Sequence, residues 1–362
     1  MANLSQLGNS LYRGDVSYNI VGSRKAWYIV SAFLIVFSIV TLGVRGLNLG
    51  IEFKGGAEFS VPLASASDQS VSKARETVIA AGETPSTVTI VGGKTVRIQT
   101  PALSTEDSNA LSTALATSFG VDEANIKVQL VGPSWGDEVT KNALRALLVF
   151  LILVAIFLSI YFEWQMAVAA LVALGHDVLI TVGIYALSGF EVTPASVIGF
   201  LTILGYSLYD TVVVFDKVKE NTKGIHGGAR TTYSEAANLA LNQTLVRSIN
   251  TSVVALLPVL SILVVGVSLL GVGTLNDLSL ALFVGMLVGT YSSIFVATPF
   301  LCQLKEKTAE NIALAKRVHA RRKGGESGED TKLEVVIASA TVSSAGPRQQ
   351  RVKKTRSSRQ GR

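Results

Sequence analysis

Six apolar runs constrain this chain more than any other feature: residues 26–44, 146–162, 166–188, 193–215, 252–273 and 278–301. Each is long enough to cross a hydrocarbon core of about 30 Å, the run 146–162 with the help of a few flanking residues. In lipid every backbone N–H and C=O must be satisfied within the protein, so runs of this length fold as helices. The expectation is a polytopic α-helical membrane protein. Composition agrees, with 49% hydrophobic and 16% charged residues among 362, where a soluble domain carries roughly 25% charged. A single cysteine, Cys302, excludes an internal disulfide framework, and His176, His226 and His319 are too scattered for a zinc motif. The first run reads as a retained span rather than a cleaved signal peptide. It is long, a polar segment (residues 1–25) precedes it, and no small-residue cleavage site follows it.

Charges in the short loops set the orientation. Arg13, Arg24 and Lys25 precede span one; Lys217, Lys219, Lys223 and Arg230 follow span four; Lys305 and Lys307 follow span six. With six spans all of these fall on one side. The opposite short loops, 189–192 and 272–277, contain no Lys or Arg. The positive-inside rule then places both termini, 1–25 and 303–362, and the loop 217–246 in the cytoplasm. Residues 45–142 lie outside as an extracytoplasmic domain, and residues 143–302 hold spans two to six. Within the outer domain, 58–63 alternates as a strand does, and 67–81 places Val71, Ala74 and Val78 on one helical face. Residues 87–100 hold two β-branched runs split by Gly92-Gly93-Lys94, a hairpin signal. Residues 104–119 repeat the helical spacing with Leu111, Leu115 and Phe119, and 126–131 reads as a last strand. The order βαββαβ predicts a ferredoxin-like α+β unit, and about 100 residues suffice for one small core.

Polar residues inside the apolar runs point to function. Asp210 sits within span four, where a carboxylate costs about 2.5–3.5 kcal/mol on insertion scales unless it is protonated, paired or hydrated. Residues three and four apart share a helix face. Thr202, Tyr206 and Asp210 therefore form one stripe on span four, with Ser207 and Thr211 beside it. Asp177 and Thr181 share a face of span three, next to His176. Gln243, Arg247 and Asn250 line up at the start of span five, flanked by Thr251. The least costly arrangement packs these stripes against one another around protein or water. Arg247 reads either as the counter-charge of Asp210 or as a cation snorkelling at a helix end. Asp210 reads as a proton-path residue or as a hydrogen-bonding strut. Asp177 divides the same way, and His176 as a relay or a packed histidine. Asp216, among Lys217 and Lys219, reads as a solvated charge. Pro258 interrupts span five, Gly285-Met-Leu-Val-Gly289 permits close helix packing, and Thr232-Tyr-Ser-Glu235 reads as a capping box that starts a helix feeding into span five.

Several of these segments resemble a known family. Gly50-Ile-Glu-Phe-Lys-Gly-Gly56 is similar to the Gly-Ile-Asp-Phe-x-Gly-Gly motif of the SecD/SecF proteins, with Gly50, Glu52, Gly55 and Gly56 as the motif positions. The stretch from Tyr206 to Asn221, the stretch from Leu241 to Ser252, and His176-Asp177 resemble SecF-type spans four, five and three. The resemblance covers roughly residues 20–305. It implies half of a twelve-span unit of the resistance–nodulation–division superfamily, pairing with SecD. That unit would associate with the SecYEG channel and use the proton gradient to draw a translocating preprotein outward after SecA has pushed it in. Carried over by position, it implies that Asp210 and Arg247 are the proton-path aspartate and arginine, with Asp177 near them and His176, Tyr206, Thr211 and Asn250 in support. No cofactor is implied; the coupling ion is a proton, with Na⁺ as the alternative. Glu52 replaces the usual Asp and reads as structural. The tail beyond about residue 305 departs from the family core. From 303 to 362 it carries 15 Lys/Arg against 6 Asp/Glu and reads as disordered, with anionic lipid or RNA contact and plain solubilisation as alternative uses.

Three other functions compete. A small-molecule exporter of the same superfamily would need a partner for its missing half. A passive assembly factor would use the charges only to hold helices together. An intramembrane aspartyl protease places Tyr-Asp and Gly-x-Gly-Asp on neighbouring spans, which Tyr209-Asp210 and Gly175-His-Asp177 imitate. Here the order is reversed, the second glycine is missing and no Pro-Ala-Leu follows, so no enzymatic activity is expected.

Overall fold

The computed structural model describes residues 10–11, 13, 16–265 and 273–325. Expectations that fall on the remaining residues, including most of the basic tail, lie outside the described residues. The chain divides into two units at Arg321 and Arg322; the description below concerns the first, and of the second only the end of a helix is described.

Among the described residues six helical segments are long and apolar enough to cross a membrane, so the chain is a multi-pass membrane protein. Helix α1 (Arg24–Arg45) is the first span. A soluble insertion follows, built from β1 (Asn48–Leu49), α2 (Ile51–Lys54), β2 (Gly56–Pro62), α3 (Asp68–Ala80), β3 (Thr87–Val91), β4 (Thr95–Thr100), α4 (Thr105–Phe119) and β5 (Lys127–Val131). The other spans are α5 (Pro133–Tyr161), α6 (Trp164–Ser188), α7 (Pro194–Thr222), α8 (Tyr233–Val265) and a composite last span. That span joins α9 (Gly273–Ser292), a π-helical turn (Ser293–Ala297) and α10 (Thr298–Glu306). A short strand, β6 (Glu191–Val192), lies between α6 and α7, and α11 (Ala309–Gly325) follows α10.

The insertion is one four-stranded sheet of order β3-β4-β2-β5, antiparallel at every pairing, the arrangement expected of a ferredoxin-like βαββαβ unit. Gly92 and Gly93 both have positive φ in the β3–β4 turn, as a tight hairpin that matches strand twist demands. Phe59, Val61, Val96 and Ile98 from the sheet meet Ala74, Val78, Leu111 and Leu115 from α3 and α4, all fully buried. Ser104 caps α4 by accepting from the Asp107 amide at 3.1 Å.

In the membrane region small residues let helices approach. A Cβ on Gly285 would lie 2.2 Å from Ile203, one on Gly289 2.9 Å from Ser207, and one on Gly199 2.7 Å from Ala281. The GxxxG of α9 therefore packs directly on α7. Thr232 and Glu235 form the expected capping box, with Thr232 N–H donating to Glu235 at 2.9 Å and Glu235 N–H to Thr232 at 3.3 Å. The helix they start runs without a break through Pro258. At that end of the bundle Arg24 pairs with Glu306 at 2.7 Å and Lys305 with Glu163. Asn238 and Asn242 accept the backbone N–H groups of Tyr18, Ile20 and Val21. At the other end β1 and β6 pair in parallel beneath the soluble sheet.

One expectation is corrected. The tail was expected to lose order from residue 303, but helix continues to Glu306 and resumes over Ala309–Gly325. Asn311, Leu314 and Val318 supply a buried row at helical spacing there, an apolar signal that the surrounding charge obscures.

Candidate functional site

Asp210 lies in the middle of α7 with 7% of its surface exposed. Its Oδ1 accepts a hydrogen bond from Ser248 Oγ on α8 at 2.6 Å. Its Oδ2 is buried and has no hydrogen-bond partner among the described residues.

The expected contact with Arg247 is not made. Arg247 is exposed, and among the described residues no ion pair joins it to Asp210, although it stays within electrostatic reach. Helix geometry gives the reason. Successive residues rotate about 100°, so when Ser248 faces α7 its neighbour faces away. The buried polar row of α8 is Thr244, Ser248 and Ser252, one residue on from the expected row. Asn250 is exposed, as is Thr202 at the outer end of the α7 stripe. Gln243 instead accepts from Asn221 at 2.9 Å.

Asp177 and His176 are brought inside. Asp177 is 1% exposed, and its Oδ2 accepts from Ser207 Oγ on α7 at 2.6 Å. Its Oδ1 lies 3.2 Å from Nδ1 of His176. The His176 ring stacks on Tyr291 of α9, centroids 5.9 Å apart, and the Tyr291 hydroxyl lies 3.1 Å from Ser31 on α1. Thr211 meets Ser293 of the π turn at 3.0 Å, and Ser293 donates to the Ser207 carbonyl at 3.3 Å. A π turn widens the helix and often marks a functional position. The Tyr206 hydroxyl is buried and unpartnered among the described residues, while nearby Ser252 accepts from Thr290 at 2.7 Å. Four helices thus surround two carboxyl groups with hydroxyls. Sequence reasoning missed Ser248, Ser252 and Ser293, whose signal was the four-residue spacing of hydroxyls on span five and the Ser292-Ser293 pair.

The glycine motif lies at the membrane end of the soluble domain. Gly50 N–H donates to the Val192 carbonyl at 2.9 Å. Gly55 and Gly56 have φ of 76° and 149°, and a Cβ on Gly56 would meet the Thr100 carbonyl at 2.6 Å. Glu52 Oε1 accepts from Gln129 at 3.5 Å. These residues shape the junction and touch neither membrane carboxyl group.

Comparison with known proteins places these residues in a family. The family described as protein export membrane protein SecD/SecF, C-terminal, matches residues 111–307, and the SecD/SecF GG motif matches residues 40–66. The protein translocase subunit SecF of Streptomyces coelicolor is 50% identical over 333 residues, covering 92% of this chain and 89% of that protein. The subunit of the same name from Mycobacterium leprae is 43% identical over 349 residues, covering 91% and 74%. Among solved structures, the crystal structure of SecDF from Thermus thermophilus, described as a translocon-associated membrane protein, is similar with a TM-score of 0.71 at 31% identity. The likeness covers 81% of this chain and 39% of that one, so the chain spans about two fifths of the SecDF polypeptide. Both family matches fall on segments described above, the glycine junction and the helices around Asp177 and Asp210, and the chain belongs to the SecD/SecF family of protein export membrane proteins.

Proposed function

We propose that this chain is a SecF-type auxiliary subunit of the protein translocase. Paired with SecD, it uses the proton-motive force to promote export of preproteins across a bacterial plasma membrane after the SecA-driven step at the SecYEG channel. The observation that carries this reading is Asp210, a buried carboxyl group within the membrane span α7 that accepts a hydrogen bond from Ser248 on the neighbouring span α8. Such a group can take up and release a proton without breaking a network, and its neighbour Arg247 carries a long flexible cation one residue from Ser248. Two arrangements, Asp210 with Ser248 and Asp210 with Arg247, form a two-state element that protonation biases. Asp177 of α6, bonded to Ser207 on the helix that carries Asp210, is the second titratable member, with His176, Tyr206 and Thr211 in support. Na⁺ in place of H⁺ would use the same carboxyl oxygens.

The Thermus relative named SecDF is more than twice the length matched here, and this supports a partner that supplies the other half. The Lys/Arg distribution supports cytoplasmic termini, an extracytoplasmic sheet domain and contact of the basic tail with anionic lipid or RNA. The reading is of a transport component, not an enzyme. Asp177 and Asp210 bond to different serines on different helices, whereas an aspartyl protease needs two carboxyl groups sharing one proton.

Replacing Asp210 with Asn keeps size and hydrogen bonding and removes titration. Gradient-dependent late-stage export is then measured in vesicles with equal amounts of assembled complex. Lost gradient stimulation with intact assembly supports the proposal. Unchanged stimulation overturns the role of Asp210, and reduced complex abundance alone identifies it as a strut. Drug sensitivity without a secretion defect points instead to a small-molecule exporter.

A further inference from the structure

Beneath the soluble sheet, just before the helix that carries the membrane acid, Glu191 of β6 joins the soluble domain to the membrane region. Its side chain is 11% exposed, and Arg97 reaches its Oε2 at 2.9 Å. Gln99 donates to its Oε1 at 2.6 Å and also to Glu58 at 3.0 Å. Arg97 and Gln99 are alternate residues of β4, so they point to the same face of the sheet. Glu191 is equally committed in the other direction. Its carbonyl accepts from Ser196 Oγ at 3.4 Å in the first turn of α7, where Thr193 and Ser196 cap the helix reciprocally. Its strand pairs with β1 at the end of span one. One residue therefore binds the central sheet by its side chain and the start of α7 by its backbone. Asp210 lies about 20 Å farther along that same rigid helix, at 1.5 Å per residue.

From this geometry we infer that Glu191 and Arg97 form the joint through which movement of α7 is passed to the soluble domain, acting as positioning residues for export. The inference rests on the proposed role of Asp210 as the element that moves α7. The charge balance explains why an ion pair suits this place. Arg97 is held between Glu191 and Glu58, the latter 3.9 Å away, and Glu52 and Asp277 lie near the same carboxylates. With Arg97 in place the acids are drawn together. Without it they repel across a partly buried space, so loss of the cation opens the joint. Loss of the Glu191 charge alone leaves Arg97 with Glu58 and leaves Gln99 an acceptor. Arg97→Gln is therefore the more damaging change.

The test uses the full chain in the assembled complex, with paired cysteine labels and distance measurement with and without a proton gradient. Ile198 on α7, Val36 on α1 and Lys94 in the β3–β4 turn are exposed label sites, and the native Cys302 is buried. In the unmutated chain the 198–36 distance responds to the gradient and the 198–94 distance stays fixed, because the domain follows α7. In R97Q, and less strongly in E191Q, the 198–36 distance still responds, the 198–94 distance broadens, and gradient-stimulated export falls about tenfold, within the usual range of intramolecular coupling. The swap R97E with E191R restores both the fixed distance and export, which a generally destabilised domain would not do. A fixed 198–94 distance and full export in R97Q overturn the joint. A 198–36 distance that ignores the gradient in the unmutated chain overturns the role of Asp210 and the joint's part in export with it. In that case R97Q still broadens the 198–94 distance if the joint holds the domain.

Discussion

Ser248 donates to Asp210 at 2.6 Å across the contact of α8 with α7, while Arg247 stands exposed one residue away. The acid in the membrane is therefore held by a neutral hydroxyl, and the nearby cation is free to change its distance. Ser248→Ala removes the donor and leaves both oxygens of Asp210 buried without a bond. A loss of about 1–3 kcal/mol in stability is expected, read as a lower melting temperature of the purified protein, together with weakened gradient-driven export. Arg247→Ala removes an exposed side chain, so melting should barely move while gradient stimulation is lost. If R247A melts early and transports normally, the division of roles between the two neighbours is wrong.

Asp177 ties α6 to α7 through Ser207 and lies beside His176. Asp177→Ala deletes both contacts from a fully buried place and leaves Ser207 without its acceptor, which should cost about 1–3 kcal/mol. Asp177→Asn retains an acceptor for Ser207 and should recover most of that stability. The pair separates structure from titration: if D177N melts normally but lacks gradient stimulation, Asp177 shares in the proton path, and if it transports normally, Asp177 is a strut.

How far the sequence reveals these relations depends on their range. The sheet domain is legible because its signals are local: alternation in 58–63, the Gly92-Gly93 turn, and Val71, Ala74 and Val78 at helical spacing. The buried row of α8 is not. Arg247 draws attention to its own face, and serines and threonines give no clear burial signal because they can bond the carbonyl four residues back, as Thr244 and Thr251 both do. The Arg97–Glu191 pair is 94 residues apart in the chain, and nothing short of the assembled sheet brings its members together. The helix after Glu306 was hidden by its charge, since Leu314 and Val318 are a sparse apolar pattern between lysines and arginines.

The α7–α9 contact makes a steric prediction. A methyl group on Gly285 would enter the Ile203 side chain at 2.2 Å, and one on Gly289 would approach Ser207 at 2.9 Å. Overpacking of this kind costs about 1–3 kcal/mol. Gly285→Ala should be partly relieved by Ile203→Val, which removes a methyl group from the crowded side. Gly289→Ala presses on the residue that holds Asp177 and should also reduce export per assembled complex. Thermal melting of G285A, I203V and the double variant measures the coupling; simple additivity would show that the two side chains do not meet.

Glu58 gives a pH dependence outside the membrane. Its side chain is 17% exposed, and burial pushes its carboxyl above the ordinary glutamate range, opposed by the Gln99 hydrogen bond and by Arg97. An acid whose folded value is raised binds more protons when folded than when unfolded, so stability rises as pH falls from the raised value toward the ordinary one. At neutral pH the full desolvation penalty is present, and it disappears across that window. Glu58→Gln keeps an acceptor for Gln99 and carries no charge to desolvate. It should therefore be neutral or mildly stabilising at pH 7 and flatten the dependence of melting temperature on pH between the two values. If instead the unmutated chain loses stability on acidification over that window and E58Q loses less, the Arg97 pairing, rather than burial, governs this carboxylate.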